Sequence, residues 1–401
     1  MAILDFFRKL FGSSKPKNDP KAASAEPEPP KTDEPAPQNE HEPVQEPVPE
    51  APSQLLAITC IGQSHIKHGT PCQDSSLCYQ GNAFRMIAVS DGHGSTSCPR
   101  SDRGSRLACR IAQEVFTEFA ETVSLQNRDT AARDLCAEIC RRWKAAVLSD
   151  YENEPFSEAE LEKVSEKYLA HYQSGRQGQH AYGATLIAAV ESAAGILAIR
   201  CGDGECIAID SQGRFSRPIP WNDKCDVNVT TSLCDTDAVE EFRWAWLEEM
   251  PAALWISTDG VDNSYPDPAD LQEFYANLSV RALEQGCAAV TEELQSFLPM
   301  LTQRCSQDDL SVAAMVEPSA LAAARDRLYT HVELRGALRQ QSELQRRLKV
   351  IARTLREKES KPAPDDALQQ EISALRAEEI KLTDALSAQE EKLAQLRLHA
   401  E

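Results

Sequence analysis

Four aspartates stand where short apolar runs end or begin. Met86-Ile-Ala-Val runs into Ser90-Asp91-Gly92-His93-Gly94, and Ile196-Leu-Ala-Ile runs into Arg200-Cys-Gly202-Asp203-Gly204. Leu254-Trp-Ile-Ser runs into Thr258-Asp259-Gly260, and Ser306-Gln-Asp308-Asp309 leads into Leu310-Ser-Val-Ala. Taken singly, each Asp-Gly is an ordinary turn. Several carboxylates gathered at one edge, however, repel one another unless cations neutralise them, and adjacent glycines let backbone come close to whatever the acids hold. All-oxygen donor sets suit hard ions such as Mg²⁺ or Mn²⁺, whereas zinc calls for His and Cys.

The elements that must position these acids lie between residues 53 and 316. β-rich runs fall at 55–61, 86–90, 184–190, 196–200, 206–210, 254–257 and 310–316, and stretches of helical period at 104–119, 130–148, 157–172 and 269–285. This predicts one α+β domain, at 264 residues large enough for its own core. Trp244 and Trp246 read as core residues against a helix, and the polar stretch from Trp221 to Asp237 as a loop near the acids.

The flanks differ. Residues 13–52 hold 11 of the 23 prolines and nine acidic residues against four lysines, which predicts a disordered linker. Before it, residues 1–12 (MAILDFFRKLFG) read as an amphipathic docking helix for a membrane surface or a partner's groove. Residues 317–401 are rich in helix formers. Leu344, Leu348, Ile351 and Leu355, then Leu368, Ile372, Leu375, Leu382, Leu386, Leu393 and Leu396, keep a 3.5-residue repeat interrupted at Lys361-Pro-Ala-Pro364. That predicts a coiled-coil helical hairpin, with pairing inside one chain or with a partner or second copy.

A net charge of −21 with a pI of about 4.9 argues against nucleic acid as a partner. Thirteen cysteines, an odd number with no zinc-type spacing and no secretory signal, point to a cytoplasmic location, with residues 1–12 allowing peripheral membrane attachment.

The ordered series Gln73-Asp74, Asp91-Gly-His-Gly94, Gly183-Ala-Thr185, Gly202-Asp203-Gly204, Thr258-Asp-Gly260 and Asp308-Asp-Leu-Ser-Val312 resembles the protein phosphatase 2C family of metal-dependent Ser/Thr phosphatases, across about residues 55–316. The resemblance implies a two-sheet antiparallel β-sandwich flanked by helices, and phosphorylated protein as substrate. It implies that Asp91 bridges two Mn²⁺ or Mg²⁺ ions, that the Gly92 carbonyl and Asp259 and Asp308 complete the protein ligands, and that Asp74 acts through water. His93 would protonate the leaving oxygen. Two such cations lower the pKa of a bridging water, which then attacks phosphorus in line. A third ion would use Asp203 with an acid after Thr258-Asp-Gly, but Asn263 occupies the matching place, one residue after Asp262. The family's phosphate-holding arginine is absent, and Lys67, His65 or His68 stand in as candidates without arginine's bidentate fork. The usual glutamate is Gln73. These departures keep open a second reading, a phosphatase-like scaffold that binds phosphoproteins without turnover.

Overall fold

The computed structural model describes residues 54–82, 84–174, 178–225, 229–360 and 365–400. The readings of residues 1–12 and 13–52 lie outside the described residues.

Among the described residues, ten strands form two five-stranded antiparallel sheets. The first has the order β1 (Leu55–Cys60), β10 (Leu310–Val316), β9 (Ala253–Ser257), β6 (Glu205–Ile209), β7 (Phe215–Ser216). The second has the order β2 (Ser75–Gln80), β3 (Arg85–Ser90), β4 (Leu186–Ser192), β5 (Gly195–Cys201), β8 (Arg243–Leu247). Side chains alternate across each sheet, and both faces are covered, which is why the central strands read as continuous apolar runs. Along β3, Ile87 and Val89 enter the layer between the sheets with Ile187, Ala189, Leu254, Ile256, Ala313 and Met315. Met86 and Ala88 instead meet the outer helices α2 (Ser101–Thr122) and α3 (Arg128–Asn153), against Ile111, Val115, Phe116, Ile139 and Trp143. Each large aliphatic side chain so buried contributes about 2 kcal/mol.

On the other side lies α8 (Pro268–Arg304), two helical segments joined at a kink at Gly286 and tied to β9 by Trp255 Nε1–H donating to Ser279 Oγ (2.9 Å) and Tyr275 OH donating to Ser257 Oγ (2.8 Å). The layers are therefore helix, sheet, sheet, helix, the predicted sandwich. Four short helices complete this part: α1 (Gln63–His68), α4 (Glu158–Leu161), α5 (Glu166–Gln173) and α6 (Ala238–Glu241), with α7 (Asp259–Asp262) after β9.

Two details differ from the pattern-based reading, and a third agrees with it. The helical stretch 157–172 is two helices, because Ser157 forms a capping box with Glu160 and the chain breaks before the Ser165 cap. Strands β2 and β8 are edge strands outside the expected runs: β2 lacks an apolar run and is largely exposed along its second half, and β8 is the short Trp244-Ala-Trp-Leu247 segment after Arg243. On β8, Trp246 stacks on Phe119 of α2 with ring centroids 6.3 Å apart, the packing expected of it.

Helix α9 (Pro318–Glu359) begins two residues after β10, with proline in its first turn. Its first part packs on the sandwich through Leu321, Ala324 and Leu328, and Arg335 and Arg339 pair with Asp267, Asp270 and Glu273 at the start of α8. Farther out it runs antiparallel to α10 (Asp366–Ala400), as the pairs Lys358–Glu371 and Arg347–Glu378 show. Ile351, Leu355 and Leu382 form the seam with Leu344, Leu348, Ile372 and Leu375 around them. Among the described residues, no helix is long and apolar enough to cross a membrane.

Candidate active site

The register sets every strand-end acid at one edge of the sandwich. Ser75 pairs with Ser90, Leu186 with Cys201, and Val312 with Ser257, so the residues just beyond them share that edge. Asp91 extends the β3–β4 ladder: its N–H donates to Thr185 Oγ1 (3.0 Å) and its carbonyl accepts the Thr185 N–H (2.8 Å). The next N–H, of Gly92, donates to the Gln73 carbonyl at 3.1 Å. A Cβ at position 92 would lie 2.6 Å from the carbonyl oxygens of both Gln73 and Ser101, so only glycine allows this approach. The His93 N–H donates to the Gly183 carbonyl (3.0 Å), and the His93 ring lies over Gly183, where an added Cβ would be 2.5 Å from its Cδ2.

Asp259 sits in the first turn of α7, directly after Thr258. The two neighbouring acids of the β10 approach divide the work. Asp309 is 3% exposed, and its carboxylate accepts the N–H groups of Gly62 (2.5 Å) and Gln73 (2.6 Å), tying two separate loops together. Asp308 accepts only the adjacent Asp309 N–H (2.9 Å) and faces the cleft. Asp74 lies beneath, its Oδ2 accepting from Thr258 Oγ1 at 2.7 Å. Thr258 Oγ1 in turn accepts the Ser311 N–H, while Thr59 Oγ1 lies 2.8 Å from both Ser311 Oγ and Ser76 Oγ. This row of hydroxyls crosses from one sheet to the other and forms a polar floor under the acids.

Above the floor is a cleft of about 740 Å³, lined by Asp91, Asp203, Asp259, Asp308 and His93. Burial holds the Asp74 and Asp91 carboxyls well above the usual carboxylate range, and the neighbouring acids push the same way. Asp259 and Asp308 are raised, again chiefly by burial, and burial pushes Asp262 up to about 6. Burial lowers the His93 pKa, against the pull of Asp203 and Asp235.

Whether this edge suits a cation can be tested on its own atoms. Asp259 Oδ1 is buried and has no hydrogen-bond partner. Among the described residues, neither Lys nor Arg lines the cleft to balance its acids. The donor set is oxygen throughout, as hard divalent ions require, so the residues fit such ions. Among the described residues, no three such side chains already surround a common point as ligands; Asp91 and Asp259 instead face each other as a hydrogen-bonded pair of acids. Asn263 donates to Asp259 Oδ2 (3.1 Å), so the position matching the third-ion acid braces Asp259.

The three phosphate-binding candidates lie on α1, and none lines the cleft. Lys67 Nζ donates to Gln307 Oε1 (2.8 Å), His68 Nδ1 is 2.8 Å from the Ser64 carbonyl, and His65 Nδ1 is 2.9 Å from the Pro71 carbonyl. His65 is the nearest, with Nε2 3.9 Å from Asp309. The cleft also takes in residues that no local pattern marked: Asp235, His180, Tyr168, Cys98 and Cys234. The loop expected near the acids supplies part of this wall, from Val229 to Asp235.

The family model described as protein phosphatase 2C matches residues 61–299, more than half of the chain. Among solved structures, the chain is similar to the S. agalactiae serine/threonine phosphatase at 18% identity, covering 66% of this chain and 99% of that one with a TM-score of 0.41. It is similar to the Mycobacterium tuberculosis serine/threonine phosphatase PstP at 13% identity, covering 66% and 98% with a TM-score of 0.40. For RsbX in complex with magnesium the identity is 15%, the coverage 65% and 92%, and the TM-score 0.36. No curated protein matches the sequence. By the match over residues 61–299, the chain belongs to the protein phosphatase 2C family.

Proposed function

We propose that the chain is a Mn²⁺- or Mg²⁺-dependent phosphatase that removes phosphate from serine and threonine side chains of proteins. The observation that carries this reading is the convergence of Asp74, Asp91, Asp259 and Asp308 on one edge, with Asp259 Oδ1 buried and unpartnered. Such a cluster is unfavourable until cations enter it. Asp91, Asp259 and Asp308, with the Gly92 carbonyl, would hold two ions, and Asp74 would accept from their water shell. Bound there, the ions supply Lewis acidity, activating water and neutralising phosphoryl oxygens.

The chain's own groups do the rest. With neither Lys nor Arg lining the cleft among the described residues, the phosphate gains no direct cationic clamp, and its hold on the site depends on the ions. His93 is fixed by its N–H bond to Gly183 and by ring packing on that glycine; burial lowers its pKa, and Asp203 and Asp235 offset part of that lowering. From there it gives a proton to the seryl or threonyl oxygen as that oxygen leaves. Asp203, at the rim, would serve a third, weaker ion.

The test is hydrolysis of p-nitrophenyl phosphate and of a phosphothreonine peptide with Mn²⁺, with EDTA, and with Asp91→Asn. We expect Asp91→Asn to cost about a thousandfold in turnover, equivalent to about 4 kcal/mol. Turnover surviving both EDTA and the substitution removes the metal mechanism. The absent cationic clamp favours one competing reading, the phosphoprotein-binding scaffold, and retention of the phosphopeptide without turnover under all three conditions would establish it.

A further inference from the structure

Two thiols outside the acid cluster share the cleft. Cys98 follows the Asp91–Gly94 loop, and Cys234 belongs to the opposite wall; among the described residues these are the cysteines that line the cleft. Each segment is held in place, and both reach the 181–184 stretch, the Cys98 side through the Arg100 N–H donating to the Ala181 carbonyl (2.8 Å). The Leu233 N–H donates to the Ala184 carbonyl (3.0 Å), and Ser232 Oγ bridges the Ala184 N–H and carbonyl (3.2 and 3.1 Å). On the other side, the Cys98 N–H donates to the Ser95 carbonyl (2.8 Å) and Tyr172 OH to the Ser97 carbonyl (2.6 Å).

Between them stands Gly183, whose missing side chain lets the His93 ring close in, so that only the gap between the two sulfurs remains. A Cβ placed there would lie 3.3 Å from Cys98 Sγ, 3.4 Å from Cys234 Sγ and 2.5 Å from His93 Cδ2. Two sulfurs that near one point are at most about 7 Å apart, so an S–S bond needs side-chain rotation and a small approach of the two segments. The same gap is floored by the His93 ring. Closing it therefore moves the 229–235 wall against the residue assigned as the proton donor.

We propose that Cys98 and Cys234 form a peroxide-sensitive dithiol that closes to a disulfide across the cleft and switches the enzyme off. The loss of activity rests on the phosphatase reading above; formation of the bond does not. In the first step one thiol sulfur attacks hydrogen peroxide: an S–O bond forms, the O–O bond breaks, and water leaves, giving a sulfenic acid. In the second, the other thiol attacks that sulfur: the S–S bond forms, the S–O bond breaks, and a second water leaves. Two thiols are oxidised and one peroxide is reduced to two waters. Burial holds both thiols protonated, Cys98 pushed up to about 12 and Cys234 to about 11. The resting pair thus answers sustained oxidant rather than a brief pulse.

The full-length protein is treated with hydrogen peroxide, alkylated, and digested without reduction for mass spectrometry, alongside Cys98→Ser and Cys234→Ser. The expected result is a peptide linking residues 98 and 234, absent from both variants, and a tenfold or greater fall in kcat/KM that dithiothreitol reverses. Each variant, compared with itself before and after peroxide, should lose less than twofold. Absence of the linked peptide at a peroxide dose that oxidises the exposed Cys78 overturns the proposal, as does a linked peptide with unchanged kcat/KM. A protein with no metal-dependent turnover even when reduced, yet with the linked peptide, refutes the phosphatase reading and leaves the disulfide standing.

Discussion

Asp308 and Asp309 are adjacent, identical in chemistry and opposite in predicted behaviour. Replacing each by asparagine keeps size and shape and removes one charge. At position 309 the carboxylate accepts two backbone N–H groups, from Gly62 and Gln73, in a site 3% exposed. An asparagine there offers one acceptor oxygen; its amide end meets the other N–H donor to donor. One charge-assisted bond becomes neutral, and one buried donor goes unmet, together about 3 kcal/mol. For a domain of this size that lowers Tm by about 6 to 12 °C. At position 308 an asparagine keeps an acceptor for the Asp309 N–H and removes one of several mutually repelling charges. Asp308→Asn should therefore leave the Tm of the metal-free protein unchanged or higher, while abolishing most of the upward shift that Mn²⁺ gives the parent. Thermal unfolding followed by circular dichroism, in EDTA and in Mn²⁺, reads all four quantities. Equal shifts for the two variants, or greater loss for Asp308→Asn in EDTA, would refute the division of labour between anchor and ligand.

Stability should also depend on pH in an unusual direction. Asp74, Asp91, Asp259 and Asp308 all have folded pKa values above their unfolded ones, and Asp262 sits at about 6. These acids bind more protons folded than unfolded, so their share of metal-free stability rises as pH falls from 8 toward 5, against the partly buried His93, His180 and His331, whose lowered values oppose it below about pH 6.5. Mn²⁺ weakens the acids' share by competing with protons, and a metal-free pH dependence of Tm that is identical in the parent and in Asp308→Asn contradicts it. At the hairpin, Arg339→Ala strands the carboxylate of Glu273, 1% exposed and bonded to Arg339 Nη2 at 2.6 Å. Urea unfolding should show a loss of about 3 kcal/mol, and adding Glu273→Gln should recover part of it; an unchanged midpoint would sink the idea that this pair fastens α9 to α8.

The strand-end acids were legible because their signal is local: an apolar run, then Asp beside Gly. The sheet order was not, and the resemblance implied only the two-sheet sandwich, since nothing in Leu254–Ser257 or Leu310–Val316 says that these strands pair. Strand β2, with the sequence Ser-Ser-Leu-Cys-Tyr-Gln, escaped because an exposed edge strand has no need of alternating apolar residues. Of the two acids at 308–309, the family resemblance implied that Asp308 faces the cleft, but the anchoring of Gly62 and Gln73 by Asp309 spans 247 and 236 residues of chain. The opposite wall is similar: Cys234, Asp235 and His180 reach His93 only through the folded path of the chain. Lys67 and His68 precede Asp74 where the family's arginine would stand, but their own hydrogen bonds point them elsewhere.

The passage from β10 into α9 has a mechanical side. A tug along the hairpin would be felt first by β10, which is zipped along its whole length between β1, at six residue pairs, and β9, at five. Drawn along its own axis, such a strand must break those backbone bonds together rather than one by one. The hairpin can therefore swing or bear load while Asp308 and Asp309, at the far end of that strand, stay where they are.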